Sequence, residues 1–211
     1  MRKTIAPFIV LLLLTAAGHA QHVGIKGGFN ISNYYDYNHR VIEVSSRNNF
    51  HYGLVAFLAP NRTLAFQVEV LYNEKGGQYD LEIIDENGES RGTGTRRDSY
   101  AYLEVPLLLK IPIDVFKIRP EFVVGPSVSY LLNRKSTVTG KDYYSEATST
   151  DGYSKYIVNL VLGGDMFVPL FKGGLLVDVR FMTALNSFYD FSGSTIKHKQ
   201  LMFSVGYVFG M

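Results

Sequence analysis

The stretch Leu64-Ala65-Phe66-Gln67-Val68-Glu69-Val70-Leu71-Tyr72 decides how this chain is read. Its even positions are bulky and apolar, while its odd positions include Gln67 and Glu69. A strand sends successive side chains to opposite faces, so a strand here has one purely greasy face and one mixed face. The split recurs where Ile118, Phe122, Val124, Val128 and Tyr130 interleave with Arg119, Glu121, Gly125, Ser127 and Ser129. It recurs again where Leu175, Val177, Val179 and Phe181 interleave with Asp178 and Arg180. Behind an export signal, such strands point to a β-barrel in an outer membrane.

The N-terminus supplies that signal. Met1-Arg2-Lys3 is followed by an apolar run from Ile5 to Ala17 and by Gly18-His19-Ala20. This is the charged, apolar and small-residue order of a secretory signal peptide, with cleavage expected after Ala20. The run is shorter than the roughly 20 apolar residues of a membrane-crossing helix. Residues 1–20 are therefore expected as signal and 21–211 as one all-β domain, about 190 residues long. The chain has no Cys, which excludes disulfides, thiolate chemistry and a lipidated N-terminal cysteine. A net charge of +2 gives no case for nucleic acid. With 15 Tyr, 14 Phe and no Trp, any aromatic girdle must be built from Tyr and Phe.

Eight strands are expected, at about 22–33, 49–59, 62–73, 98–111, 117–131, 154–168, 174–184 and 198–209, each near or above the roughly 9–11 residues a tilted spanning strand needs. The connections alternate. Pro60-Asn61, Pro112–Phe116 and Pro169–Gly173 are short, whereas Tyr34–Asn48, Glu74–Arg97, Leu132–Tyr153 and Leu185–Lys197 are long and polar. That is the plan of an eight-stranded antiparallel transmembrane up-and-down β-barrel, with short turns and both mature termini in the periplasm.

The bulky phase (Ile25, Phe29, Tyr52, Leu54, Leu103, Val105, Leu107, Leu109, Leu160, Leu162, Phe203, Val205, Tyr207, Phe209) belongs outside, because an eight-stranded barrel has room only for side chains within. The other phase carries Gly24, Gly28, Gly53, Gly125, Gly163, Ser204 and Gly206, small enough for that interior. A soluble lipocalin-like barrel would have the reverse polarity. Pro106, Pro120 and Pro126 each remove a ladder donor within strands, for which bulges are the expected accommodation.

Four segments carry a family resemblance: Gly24-Ile25-Lys26-Gly27-Gly28-Phe29-Asn30-Ile31-Ser32, Phe50-His51-Tyr52-Gly53, Gln67 through Gly76, and Tyr102-Leu103-Glu104-Val105-Pro106-Leu107-Leu108-Leu109-Lys110. Gly125-Pro126 and Tyr130-Leu131-Leu132 continue the pattern. In this order the chain resembles the PorT-type outer-membrane β-barrel family of Bacteroidetes. The resemblance implies a small outer-membrane barrel and, through the family's namesake, an association with secretion, but no common activity. One departure is the terminus, where Phe209 is followed by Gly210-Met211 rather than ending the chain.

The inward phase is expected to hold Glu69, Glu104, Glu121, Asp165 and Asp178 against Lys26, Lys110, Arg119 and Arg180. Ionisable groups at membrane depth suggest a polar pathway. The alternative is a salt-bridged plug, since an unpaired buried charge is costly. Near balance of sign favours the plug.

Catalysis has little support: His22, His39, His51 and His198 are scattered, and no Gly-x-Ser-x-Gly elbow occurs. The expectation is a non-enzymatic protein without cofactor, with a narrow pore or a lipid-modifying enzyme as rivals. Asp85-Glu86-Asn87-Gly88-Glu89 lacks the spacing of a calcium loop and reads as a hairpin tip at Asn87-Gly88. Arg91, Arg96 and Arg97 form a basic stretch near the outer rim, a candidate contact for lipopolysaccharide phosphates. Envelope or secretion-system proteins are the other expected partners, and the Tyr-rich loops a candidate surface for them.

Overall fold

The structure, a computed structural model, describes residues 20–36, 44–58, 65–84, 88–113, 120–141, 143–191 and 194–210. The expected signal falls almost wholly on residues 1–19, outside the described residues, as do the Pro60-Asn61 turn, Asn87 and Arg119. Ten strands are present: β1 (Ala20–Asp36), β2 (Ser45–Leu58), β3 (Ala65–Ile84), β4 (Ser90–Pro112), β5 (Pro120–Gly140), β6 (Tyr143–Thr148), β7 (Tyr156–Leu170), β8 (Gly173–Ala184), β9 (Tyr189–Phe191) and β10 (Ser194–Phe209).

β1, β2, β3, β4, β5, β7, β8 and β10 pair in that order, each neighbour antiparallel. β10 then pairs back onto β1, from Val23↔Phe209 to Asp36↔Ile196. Eight strands thus close into a barrel with no free edge within the ring, as the alternation predicts. Closure satisfies the backbone donors and acceptors strand to strand, which is the condition for crossing hydrocarbon with strands. No described helix is long and apolar enough to cross a membrane.

The two phases separate as expected. On the outer wall Ile25, Leu54 and Val205 are 54%, 61% and 54% exposed, while the inward Asn30, Gln67 and Glu104 are each at 0%. Each such apolar side chain left in water forfeits roughly 1.5–3 kcal/mol, so this wall requires an apolar surrounding. Aromatic rings stack along it: Phe29 on Phe203 at 5.0 Å, and Phe50, Tyr52 and Tyr72 among themselves.

β1, β2 and β10 each run a few residues further than the alternation indicates, and three strands run much further. β3 continues to Ile84, β4 begins at Ser90 and β5 continues to Gly140, where β6 folds back on it. Much of the polar segments Glu74–Arg97 and Leu132–Tyr153 is therefore paired sheet rather than loop. Gly88 has φ 84°, the left-handed backbone that the expected hairpin tip calls for. Ile83 anchors this raised sheet, its side chain filling the notch over Gly94 and Gly140.

The prolines correct one expectation. Pro106 pairs with Ser127, and the β3–β4 and β4–β5 registers are unchanged on either side of it. The ladders instead omit pairs, at Glu69–Val70 opposite Val105–Pro106 and at Leu107–Leu108 opposite Gly125–Pro126. The wall absorbs Pro106 and Pro126 as missing rungs, not as bulges. Pro120 opens β5, where it costs least.

Candidate functional site

The barrel interior is filled, and the filling is layered. At the end that carries the short connections, Val55, Phe57, Leu176 and Val208 pack together with Phe167 against them. Midway, Leu71, Leu108, Val161, Met182 and Met202 form a second apolar layer. At the end of the long hairpins, Tyr100, Tyr102, Leu131, Ile157, Ala184 and Phe188 make a third. The ionisable side chains occupy the spaces between these layers.

The largest ionic group joins β1, β3 and β8. Lys26 Nζ lies 2.6 Å from Asp178 Oδ2 and 3.3 Å from Glu69 Oε1. Arg180 Nη1 donates to the same Glu69 oxygen at 2.9 Å, and its Nε lies 3.2 Å from Asp178 Oδ1. Gln67 donates a further hydrogen bond to Glu69. Two cations thus meet two carboxylates, with all four side chains almost fully buried. Beside them His51 Nε2 and Ser204 Oγ are 2.7 Å apart, so the inward histidine is a hydrogen-bonded filler.

Nearer the short connections, Lys110 Nζ contacts Glu121 Oε2 at 2.5 Å and Asp165 Oδ1 at 3.1 Å, and it sits 4.7 Å from the Phe57 ring centre. Arg119, expected in this neighbourhood, lies outside the described residues.

Glu104 belongs to a separate network toward the hairpin end. Its Oε2 accepts from Asn73 Nδ2 at 3.0 Å and Ser129 Oγ at 2.9 Å, and lies 2.8 Å from Lys75 Nζ. Asn30 donates to Asn73, and Asn159 donates to Ser129. Lys75 was not among the expected inward residues, because it falls in a segment read as loop. The same holds for Arg134, whose Nη2 lies 3.1 Å from Asp98 Oδ1. Every described member of the expected inward set is thus placed inside, but in three groups rather than one cluster.

Aromatic rings close the hairpin end. Phe188 stacks on His198 with centres 3.8 Å apart, and Tyr102 Oη is 3.2 Å from His198 Nε2. Arg134 lies over the Tyr153 ring at 4.4 Å. The arrangement fills space and neutralises charge, and no group of His, Cys, Asp and Glu among the described residues is placed to hold a metal ion.

The expected arginine stretch does not form one patch. Arg96 turns toward Asp98, its Nε 3.3 Å from Oδ2, and lies over the Tyr79 ring. Burial opposes its charge, but Asp98 more than compensates and raises its pKa. Arg97, the next residue on the strand, projects from the opposite face and is exposed. The side chain of Arg91 lies outside the described residues.

Residues 16–190 match the family described as "Outer membrane protein beta-barrel domain". No curated protein matches the chain. Among solved structures it is similar to Ail, the attachment invasion locus protein of Yersinia pestis, crystallised with the heparin analogue sucrose octasulfate, at 12% identity and a TM-score of 0.45 over 89% of this chain and 98% of that one. Neisserial surface protein A is similar at 11% identity and 0.41, over 88% and 96% of the two chains. OprG of Pseudomonas aeruginosa is similar at 12% and 0.40, over 92% and 98%.

Proposed function

Because this chain belongs to the outer membrane protein beta-barrel domain family, and is a small integral outer-membrane β-barrel, we propose that it is a sealed, non-enzymatic barrel that presents a raised β-platform to a partner in the envelope. One observation carries the reading. The interior charges are consumed by one another, while β3, β4, β5 and β6 carry an ordered, polar sheet past the apolar wall. The first half argues against a transport route, and the second supplies a surface.

In this reading residues 1–20 direct export, both mature termini are periplasmic and the long hairpins face outward. The resemblance to PorT-type barrels of Bacteroidetes supports a secretion-associated partner. Arg97, exposed beyond the wall, is a contact for lipopolysaccharide phosphates.

A photo-crosslinker placed at Tyr144 or Ile84, both exposed on the raised sheet, tests this in native envelopes. Capture of a defined envelope protein supports the platform, and secretion-machinery components among the captured proteins select its specific form. Capture of nothing but lipid contradicts it. Gene loss that altered lipid A or phospholipid composition would instead favour an enzyme.

A further inference from the structure

At the mouth of the barrel, where the raised sheet begins, three arginines converge on Asp98 of β4. Arg134 Nη2 of β5 lies 3.1 Å from Asp98 Oδ1, and Arg96 Nε of β4 lies 3.3 Å from Oδ2. Arg47 Nη1 of β2 donates to the Asp98 carbonyl at 3.3 Å. Tyr34 Oη donates to Asp98 Oδ2 at 3.3 Å, so both carboxylate oxygens are engaged. No other carboxylate among the described residues pairs with any of the three arginines. Three cations therefore share one carboxylate. Lower in the barrel the signs balance, with Lys26 and Arg180 against Glu69 and Asp178, and Lys75 against Glu104.

The guanidiniums are held in place without being neutralised. Arg134 lies over the Tyr153 ring at 4.4 Å and Arg96 over the Tyr79 ring at 5.8 Å. A ring positions a cation and leaves its charge intact, because the attraction is to the ring quadrupole. Arg134 is 7% exposed, and its Nε has no hydrogen-bond partner among the described residues. Buried donors are nearly always satisfied in folded proteins, and a guanidinium presents its five N–H groups in a planar fork that matches a carboxylate. Arg47 and Arg96 are only half-buried, so the cluster is open to the outside of the barrel.

The cluster lies inside the ring of strands. A lipid phosphate is tied by its acyl chains to the outer wall, on the other face of the sheet. An extended peptide is not so tied, and β3, β4 and β5 rise beside the mouth as a wall along which it can lie. We propose that Arg47, Arg96 and Arg134, flanked by Tyr79 and Tyr153, bind Asp or Glu side chains of an extended acidic segment of a partner protein. Arginine clusters read acidic motifs through charge-assisted, often two-pronged hydrogen bonds. The inference rests on the platform in the proposed function and names the chemistry of its partner. Crosslinking at Tyr144 or Ile84 tests the platform alone, so the two readings fail separately.

The test is fluorescence anisotropy of labelled acetyl-hexaglutamate on the full chain in non-ionic detergent micelles, with labelled acetyl-hexaglutamine as the neutral probe. The wild type binds hexaglutamate more tightly by roughly tenfold or more, and the preference falls as salt rises. Arg47→Gln/Arg96→Gln removes the preference, while Lys141→Gln, at the exposed turn after β5, keeps it. Heat-modifiable mobility on gels verifies that each variant is folded. Equal binding of the two peptides by wild type, or a preference intact in the double variant, overturns the proposal. Displacement of hexaglutamate by inorganic phosphate at the peptide's own concentration also overturns it, since the arginines would then hold an adventitious ion only. Displacement by lipid A at that concentration assigns them to glycolipid and overturns it as well.

Discussion

The ammonium of Lys75 lies 2.8 Å from Oε2 of Glu104, with both side chains inside the barrel and at most 1% exposed. The pair joins neighbouring strands, β3 and β4, and Asn73 and Ser129 satisfy the same carboxylate. Lys75→Met leaves that carboxylate buried without a cation, a change that typically costs about 3–5 kcal/mol. Urea unfolding in lipid vesicles checks the loss. Lys75→Met/Glu104→Leu recovers most of it, because no orphan charge remains.

Arg180 and Glu69 offer a second, sharper case. Arg180 also reaches Asp178, and Glu69 also holds Lys26, so the four groups act as a unit. A double-mutant cycle with Arg180→Met and Glu69→Gln is expected to show a coupling of about 1–3 kcal/mol, far from additivity. Additive losses would mean that the network does not form.

Neighbouring glycines on β1 separate inward from outward tolerance. At Gly28 a Cβ would collide with the Phe203 carbonyl of β10, while at Gly27 the nearest atoms lie 3.5 Å away. Gly28→Ala is expected to cost about 1–3 kcal/mol through backbone displacement, and Gly27→Ala less than about 0.5 kcal/mol. Refolding yield, read as the heat-modifiable band, ranks the two variants directly.

On the raised sheet, Glu146 of β6 accepts a hydrogen bond from Tyr144 at 2.6 Å and pairs with Lys135 at 2.9 Å. These contacts, Tyr144 first, hold its carboxyl below the ordinary value of 4.5. A depressed carboxylate adds stability that is present above the unfolded value and lost as pH falls through the folded one. Side-chain carbon NMR is expected to show the low titration in the wild type and an upward shift in Tyr144→Phe. An unchanged titration in that variant would mean that the Tyr144–Glu146 hydrogen bond does not form.

The barrel was legible because one face of each spanning strand touches hydrocarbon, which forces a strict period of two at Phe66, Val68, Val70 and Tyr72. Beyond Tyr72 the outer face turns polar, with Glu74, Gln78 and Asp80. The contrast between faces then fades, and β3 looks like a loop although it continues to Ile84. Lys75 and Arg134 lie in segments that read as loops for that reason, although the hairpin tip at Asn87-Gly88 already pointed to a continuation of β3 and β4 beyond the wall. Arg96 and Arg97 looked like one patch for the same reason, since a strand splits adjacent residues between faces. The inward apolar layers were hidden too: Leu71, Leu108 and Leu131 share a phase with the charges.

The central claim is that paired charges and packed apolar layers shut the barrel, so its work lies outside the membrane. Single-channel recording of the purified full chain in planar bilayers tests this most directly. The account predicts a flat baseline across the voltage range, for the wild type and at raised salt alike. Steady, ion-selective conductance steps from the wild-type protein would contradict it.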